Sequence, residues 1–257
     1  MRLDQDWQGF LRSLATYTRI PLNIEWGSPK KHTPSVCFLP WVGVIVALIS
    51  AWPLLMSEWS ASFQAILMML SAVLLTGAFH EDGLMDACDG LVGGWTPEQR
   101  LSIMKDSRVG SYGVLAGLFS FALKWWLLSQ WLIQANWHAD IVVVLMGWIS
   151  VHVGARWLPL AIMASLTYVN QSGSKARAMI SPFTVRGVLW VVLSMLCVAL
   201  MVGGAMFVSM LFTLVLCFIA CVVYLRRRIQ GYNGDTLGAS EQIAELLLLF
   251  TLLGWQA

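Results

Sequence analysis

Residues 188–225 read VLWVVLSMLCVALMVGGAMFVSMLFTLVLCFIACVVYL and contain no charged side chain. A helix that crosses the hydrocarbon core of a membrane needs roughly 20 predominantly apolar residues. This stretch is long enough for two crossings, and Gly203-Gly204 near its middle predicts the connection between them. We therefore expect one span at about Val188 to Met206, a second at about Phe207 to Leu225, and lipid as the solvent around them.

The composition of the whole chain agrees with a membrane protein. Of its 257 residues, 58% are hydrophobic and 12% are charged, whereas soluble domains carry about 25% charged residues. The formal net charge of +2 does not indicate a nucleic-acid partner. The five cysteines form no CxxC pair and are interpreted as packing residues. A polar, charged start predicts no cleavable signal peptide, so insertion is expected through the internal spans.

Five further apolar stretches extend the predicted bundle. They lie at about Val36 to Met56, Ala61 to Phe79, Tyr112 to Ile133, Ile141 to Val169 and Ile243 to Trp255. The last is short for a full crossing, and its helix could begin near Ala239. The predicted fold is all-α: one integral membrane domain, residues 1–257, forming a polytopic transmembrane bundle of about seven helices.

An additional helix is predicted before the first span. Between Asp6 and Tyr17 the residues Trp7, Phe10, Leu11 and Leu14 share one helical face. This pattern predicts an N-terminal amphipathic helix lying on the membrane surface.

Basic residues predict the orientation, because cytoplasmic loops are enriched in Lys and Arg. If the N-terminus is inside, the cytoplasmic segments are 1–35, 80–111, 170–187 and 226–240. These segments hold fourteen of the sixteen basic residues, including Lys30, Lys31, Lys175 and Arg177. Lys124 and Arg156 fall within spans. We expect a multi-pass protein of the bacterial cell inner membrane whose N-terminus and active site are cytoplasmic.

A cluster of acids follows the second span, where residues 80–90 read HEDGLMDACDG. In a helix, Asp82, Asp86 and Asp89 would lie one turn apart on one face. Several carboxylates together suit Mg²⁺ or Mn²⁺, whereas His80 has no second His or Cys nearby at zinc-ligand spacing. A solvated acidic loop is the alternative interpretation. The helical spacing of the acids and the glycines beside them favour a metal site.

Residues 105–113, KDSRVGSYG, form a second candidate element. They combine Asp106 with the cations Lys105 and Arg108 just before a glycine-containing helix start at Gly110. Backbone amides at a helix N-terminus, together with Arg and Lys, form an anion site. The two cations could instead be membrane-surface anchors. Beside a carboxylate cluster they favour phosphoryl transfer, which needs metal, cations and a positioned hydroxyl.

A third element is residues 231–241, GYNGDTLGASE, where Asp235 is predicted on the same side as the acid cluster. An N-cap in a turn is the alternative for Asp235. Arg156 is expected to face the bundle interior or a cavity unless it snorkels. His152 is expected to be a packed core histidine, and Lys124 a snorkelling side chain or half of an internal ion pair.

At these residues the sequence resembles the cobalamin synthase family, the adenosylcobinamide-GDP ribazoletransferases. The stretches that carry the resemblance are 77–90, 100–110 and 234–239, with Glu245 beyond. Met85 and Ala87 stand where the family commonly has Ala and Thr, and residues 170–180 fit only loosely.

The resemblance implies a Mg²⁺-dependent membrane transferase of vitamin B12 (cobalamin) biosynthesis. In such enzymes the hydroxyl of α-ribazole, or of its 5′-phosphate, attacks the cobinamide-side phosphorus of adenosylcobinamide-GDP and GMP is released. The expected metal ligands are Asp82, Asp86, Asp89 and Asp106. The expected substrate-binding residues are Lys105, Arg108, Gly110, Arg156 and Glu245, with Lys105 and Arg108 also stabilising charge during catalysis. Either His80 or Asp235 would accept the hydroxyl proton.

Two rival functions are weighed against this one. A CDP-alcohol-type phosphotransferase would require an Ala-Arg pair where Met85-Asp86 stands. A secondary transporter would carry acids near the bilayer midplane, and the central portions of the predicted spans lack them. Apart from its two substrates, the predicted partner is the lipid bilayer. Assembly as a homo-oligomer is left open.

Overall fold

The computed structural model describes residues 2–24, 33–136, 140–169 and 183–256, and these are almost entirely helical. In chain order the α-helices are α1 (Arg2–Tyr17), α2 (Leu39–Ser50), α3 (Ala61–Thr76), α4 (Phe79–Gly93), α5 (Pro97–Ile103), α6 (Ser111–Gln134), α7 (Ile141–Ala155), α8 (Trp157–Ser165), α9 (Val185–Val202), α10 (Gly204–Ile229) and α11 (Gly234–Gln256). Two 3₁₀ turns, Ser35–Phe38 and Trp52–Leu55, flank α2.

The predicted membrane spans are confirmed in number. Six helical stretches of the described chain are long and apolar enough to cross a bilayer: Ser35–Leu55, Ser111–Gln134, Ile141–Ser165, Val185–Val202, Gly204–Ile229 and Gly234–Trp255. The pair of α3 and α4 makes a seventh if it is taken as one broken span. The protein is therefore a multi-pass, all-α membrane protein.

One predicted helix start is wrong, and one predicted connection is confirmed. The last helix begins at Gly234 rather than near Ala239 or Ile243. Asn233 caps it, because its Oδ1 accepts the Thr236 N–H at 2.9 Å while its own N–H donates to Thr236 Oγ1 at 3.0 Å. The break between α9 and α10 falls at Gly203, within the predicted Gly203-Gly204 connection, and its φ of +80° ends α9 at Val202 rather than near Met206. The early start of α11 also overturns the expectation that the spans lack central acids, since Glu245 lies near the middle of this helix.

The acid-bearing segment is a helix, as predicted, but it does not continue the direction of α3. Gly77 and Ala78 both have left-handed backbone conformations, with φ of +68° and +59°. The chain therefore turns sharply between the helices, and α4 leaves at 87° to α3. The side chain of Arg19 lies directly over Gly77, where a Cβ atom would collide with it. The turn thus carries α4 across one end of the bundle.

Helix ends that were predicted on one side of the membrane do meet at one end of the bundle. The contacts that join them are Arg19 N–H to the Leu75 carbonyl at 2.6 Å, Arg100 Nη1 to the Arg228 carbonyl at 2.7 Å, Arg228 to the Leu91 carbonyl, and a backbone bridge between Tyr168 and Tyr232. The ends of α1, α3, α8 and α10 and the start of α11 therefore share one face. Lys30, Lys31, Lys175 and Arg177 lie outside the described residues.

The N-terminal helix α1 is confirmed, and part of its predicted apolar face packs on the bundle, where Leu14 and Phe10 lie against Val42 and Val46 of α2. Of the predicted apolar face only Leu14 is buried, and Trp7 is 57% exposed. The bundle is also contacted through Gly9 and Asp6, the latter 5% exposed and paired with Arg186 of α9. Because Gly9 has no Cβ atom, α1 can lie close to the Phe38 ring. The ion pair with Arg186 offsets the cost of burying the Asp6 carboxylate.

Candidate active site

The three aspartates of α4 lie on one helix, as their spacing predicts, but they differ in exposure. Asp82 is exposed, Asp86 is half-buried and Asp89 is only 7% exposed. The charges of Asp82 and Asp89 both act on Asp86, so the three carboxylates lie within electrostatic reach of one another. The row of acids therefore runs from the protein surface into the contact with α6.

Asp89 occupies the anion site that was predicted for a phosphate. Its two carboxylate oxygens accept the backbone N–H groups of Gly110 at 2.7 Å and Gly113 at 2.8 Å, at the start of α6. A side chain at either glycine would collide with this carboxylate. The helix N-terminus does bind an anion, but that anion belongs to the protein. Gly110 is therefore engaged by Asp89 rather than open to substrate.

Asp106, another predicted metal ligand, pairs with Arg108. The guanidinium donates to the carboxylate with an Nη2–Oδ2 distance of 2.5 Å. These hydrogen bonds lower the pKa of Asp106 to about 2 and raise the pKa of Arg108. The Arg108 side chain is 87% exposed, so it can exchange this partner for another anion at little cost. The structure does not bring Asp106 into the row of acids on α4.

Asp235 lies beside Asp82 and Asp86 of α4, as the sequence predicts for residues on one side of the membrane. The backbones of α4 and α11 nearly touch, since a Cβ atom at Gly83 would come within 3.0 Å of the Asp235 carbonyl oxygen. The charges of Asp86, Asp82 and Lys105 all act on the Asp235 carboxylate. We call Asp82, Asp86 and Asp235 the acidic rim.

The acidic rim offers hard oxygen donors with little compensating charge. Within the described ranges no cationic side chain lies within ion-pair distance of its carboxylates. Among the same described residues, no group of three or more His, Cys, Asp or Glu side chains is arranged so that it could hold a metal ion. Mg²⁺ commonly uses only one or two carboxylates and completes its shell with water and substrate phosphates. The rim fits that mode of binding.

A second group of charges lies inside the bundle, around Glu245 of α11. Its Oε2 is 2.6 Å from Lys124 Nζ of α6, and its Oε1 is 2.8 Å from His152 Nδ1 of α7. Lys124 also donates to Gln242 at 2.7 Å. All four residues are at most 6% exposed. Lys124 thus forms an internal ion pair with Glu245, which is one of its two predicted roles. His152 was expected only to pack in the core, but it binds the Glu245 carboxylate.

Glu241, one turn earlier on α11, holds the other half of this group. Its Oε1 is 3.0 Å from Nη1 of Arg156, which lies between α7 and α8, and its Oε2 is 3.6 Å from Nδ1 of His80. Glu241 is fully buried and Arg156 is 1% exposed. We call Lys124, His152, Arg156, Glu241 and Glu245 the buried ion network.

The buried ion network changes how three predicted site residues are interpreted. Arg156 and Glu245, predicted to bind substrate, already bind oppositely charged side chains and have almost no contact with solvent. His80, one of two candidate bases, is 4% exposed and faces Glu241. The sequence signal for the network was present: Lys124 and Arg156 within spans require partners, and Glu241 and Glu245 stand one turn apart. Sequence reasoning did not join them.

Comparison with known proteins identifies the family to which this chain belongs. A family model described as cobalamin-5-phosphate synthase matches residues 9–253. A Shewanella baltica protein (strain OS155) named adenosylcobinamide-GDP ribazoletransferase is 39% identical over 251 residues, which cover 95% of this chain and 93% of the relative. A protein of the same name from Shewanella oneidensis is 38% identical over the same shares. No solved structure matches. By this match over nearly its whole length, the chain belongs to the cobalamin-5-phosphate synthase family.

Proposed function

We propose that this protein joins adenosylcobinamide-GDP to α-ribazole, or to its 5′-phosphate, at the acidic rim. The ribazole hydroxyl oxygen bonds to the cobinamide-side phosphorus. The bond from that phosphorus to the bridging pyrophosphate oxygen breaks, and GMP leaves with that oxygen. The observation that carries the proposal is the meeting of Asp82 and Asp86 with Asp235 beside Lys105, in a chain whose relatives are named for this transfer.

Mg²⁺ is the proposed cofactor, and Asp82 and Asp86 are its proposed protein ligands, with the Asp235 carboxylate beside them. Bound there, it would offset the negative charge of the pyrophosphate. Asp89 and Asp106 were also predicted as ligands. We propose instead that they hold the start of α6 and the loop before it, because Asp89 accepts hydrogen bonds from Gly110 and Gly113 and Asp106 accepts them from Arg108.

The cations of residues 105–108 are proposed to bind the substrate phosphates. Lys105 is exposed and acts electrostatically on Asp235, so it stands beside the rim. Arg108 is exposed and can turn from Asp106 to a phosphate, to which guanidinium binds in a bidentate manner. Together they would offset charge on the transferred and leaving phosphates.

Asp235 is the better candidate to accept the hydroxyl proton. Its Oδ2 accepts a hydrogen bond from Asn233 Nδ2 at 2.9 Å, which orients the carboxylate and leaves Oδ1 for a substrate. His80 is buried against Glu241 and has no comparable access to the rim. A general base must come within hydrogen-bond reach of the proton that it removes, and this requirement favours Asp235.

The membrane placement follows from the distribution of basic residues. The end of the bundle that carries the acidic rim also carries Arg19, Arg100 and Arg228. We propose that this end faces the cytoplasm of the bacterial inner membrane, because positively charged loops are retained on that side. Both substrates would then reach the rim from the cytoplasm.

The decisive experiment is a transfer assay with the purified protein in lipid nanodiscs. Incubation with adenosylcobinamide-GDP, α-ribazole and Mg²⁺ should yield adenosylcobalamin and GMP in equal amounts, measured by liquid chromatography and mass spectrometry. Asp82→Asn should raise the half-saturating Mg²⁺ concentration about 10-fold or more. Glu98→Gln, the same chemical change at an exposed acid of α5, should not. Absence of product, or full activity in excess EDTA, would refute the proposal.

A further inference from the structure

We infer that the buried ion network is a positioning device, which sets the register of α11 against α4 and so holds Asp235 opposite Asp82 and Asp86. This inference rests on the proposed function, because it assumes that the acidic rim binds metal and substrate. It gives Glu245 and Arg156, which were predicted to touch substrate, a role that acts through the rim instead.

The glycine crossing between α4 and α11 does not set this register by itself. At their crossing, Gly83 and Gly238 face each other, and a Cβ atom at Gly238 would come within 3.3 Å of the Gly83 Cα atom. Two glycines present smooth backbone without interlocking side chains. A shift of α11 by one turn, about 5.4 Å, would carry Asp235 out of reach of the other rim carboxylates.

Polar side chains just below the rim tie the two helices together. Gln242 Nε2 of α11 donates to Glu81 Oε1 of α4 at 3.3 Å and to Glu241 at 3.0 Å. Glu241 in turn faces His80 of α4 at 3.6 Å. Glu81 immediately precedes Asp82 in the chain, so this tie acts on the turn of α4 that begins the acidic rim.

The network also fixes α11 to helices that do not contribute to the rim. Lys124 of α6 holds Glu245, and Arg156 at the junction of α7 and α8 holds Glu241. Glu241 lies six residues, about 9 Å, along α11 from Asp235. A rigid helix transmits the position of its anchored middle to its first turn, so the two ion pairs define where Asp235 stands.

The paired charges favour this position of α11 along α4 over shifted ones. Lys124, Arg156, Glu241 and Glu245 are at most 6% exposed, so bulk water does not solvate their charges. A shifted register would leave buried charges unpaired, which costs far more than a rearranged apolar contact. Buried ion pairs add little net stability compared with apolar side chains, and their best-attested use is to specify register. The buried ion network is both buried and paired across helices, as a network that specifies register must be.

The test removes one complete ion pair while keeping the interior neutral. Arg156→Met with Glu241→Leu should fold, because apolar pairs of similar volume replace buried ion pairs without loss of stability. We expect its half-saturating Mg²⁺ concentration to rise about 10-fold or more, as when outer groups that orient metal ligands are lost, and kcat to fall. The matched control is Thr213→Val with Thr251→Val. It removes a 3.0 Å hydrogen bond between α10 and α11 that does not involve α4, and should leave both quantities unchanged.

Three readouts separate the outcomes. Tryptophan fluorescence in nanodiscs reports the unfolding temperature, Mn²⁺ binding by electron paramagnetic resonance reports the metal site directly, and product formation reports kcat. A folded double variant with wild-type Mg²⁺ dependence, Mn²⁺ binding and kcat overturns the inference. If the double variant does not fold, Glu241→Gln, which keeps the shape of the side chain, is measured in the same way and decides.

Failure of the inference is distinguishable from failure of the proposed function. If Asp82→Asn weakens Mn²⁺ binding and the network variants do not, only the positioning role is refuted. If Asp82→Asn itself leaves Mn²⁺ binding and activity intact, the rim is not the metal site and the placement of the transfer there is wrong. If the wild-type protein forms no product, the proposed function itself is wrong.

Discussion

Asp89→Asn exchanges one carboxylate oxygen for an amide nitrogen at the point where α4 meets the start of α6. The carboxylate accepts two backbone N–H groups, at 2.7 and 2.8 Å. Asparagine has one accepting oxygen, and its amide group would face the second N–H, so one of the two hydrogen bonds is lost and a buried donor is left without a partner. The substitution also removes negative charge from a helix N-terminus.

The magnitude follows from these two losses. A hydrogen bond to a charged group contributes roughly 1.5–3 kcal/mol, and a charge at a helix terminus about 0.3–2 kcal/mol. We therefore expect Asp89→Asn to lower the free energy of unfolding by about 2–5 kcal/mol. Asp140→Asn is the matched control, since exposed Asp140 caps α7 by accepting the Val143 N–H at 3.1 Å. Asp and Asn are about equally good N-caps, so its effect should stay below about 0.5 kcal/mol.

The assay is equilibrium unfolding in mixed micelles of increasing denaturing detergent, followed by tryptophan fluorescence. At detergent concentrations where Asp89→Asn remains folded, its half-saturating Mg²⁺ concentration should equal that of the wild type, unlike that of Asp82→Asn. The reasoning is refuted if Asp89→Asn keeps full stability but loses Mg²⁺ dependence. In that case the role predicted from sequence, a metal ligand, would be the right one.

Gly83→Ala places a methyl group against the Asp235 carbonyl, with a contact of 3.0 Å, and should cost about 1–3 kcal/mol of stability and reduce transfer activity. Gly254→Ala in α11, with nothing within 4 Å of its Cβ position, should change neither quantity adversely. Hydrogen bonds from Arg108 are the chief reason that the folded-state pKa of Asp106 is lowered to about 2, below its ordinary 3.8. The stability that this ionised carboxylate gives the folded state is therefore fully present above pH 3.8 and is lost as the pH falls toward 2. The difference in unfolding midpoint between wild type and Arg108→Met should therefore be constant from about pH 5 to 8 and shrink at lower pH, and a difference that grows on acidification would contradict this.

Local patterns were sufficient for the approximate number of membrane spans and for the helical state of the acid-bearing segment. Hydropathy identified the spans, and the spacing of Asp82, Asp86 and Asp89 predicted that the segment containing them is helical. The start of α11 was missed because hydropathy averages over a window, whereas a cap depends on individual groups. The reciprocal hydrogen bonds of Asn233 and Thr236 extend the helix through polar residues that the average excludes.

The pairing of the ionisable groups was the part that local patterns could not predict. The sequence contained an anion site at Gly110 and several carboxylates, but whether Asp89 or a phosphate fills that site depends on where α4 crosses α6. In the same way, burial of Arg156 was expected from the cost of charge in lipid. Its partner Glu241 comes from a helix that begins much later in the chain.

The sequence by itself determined that this chain is an all-α membrane protein, which helix ends share a side, and to which family it belongs. These conclusions depend on apolar length, on the distribution of basic residues and on motifs, all of which are properties of short segments. Only the tertiary structure decided which charges meet. The 87° turn at Gly77 and Ala78 and the close approach of Gly83 to Gly238 separate the acidic rim from the buried ion network, because these two features set the distances between residues far apart in the chain.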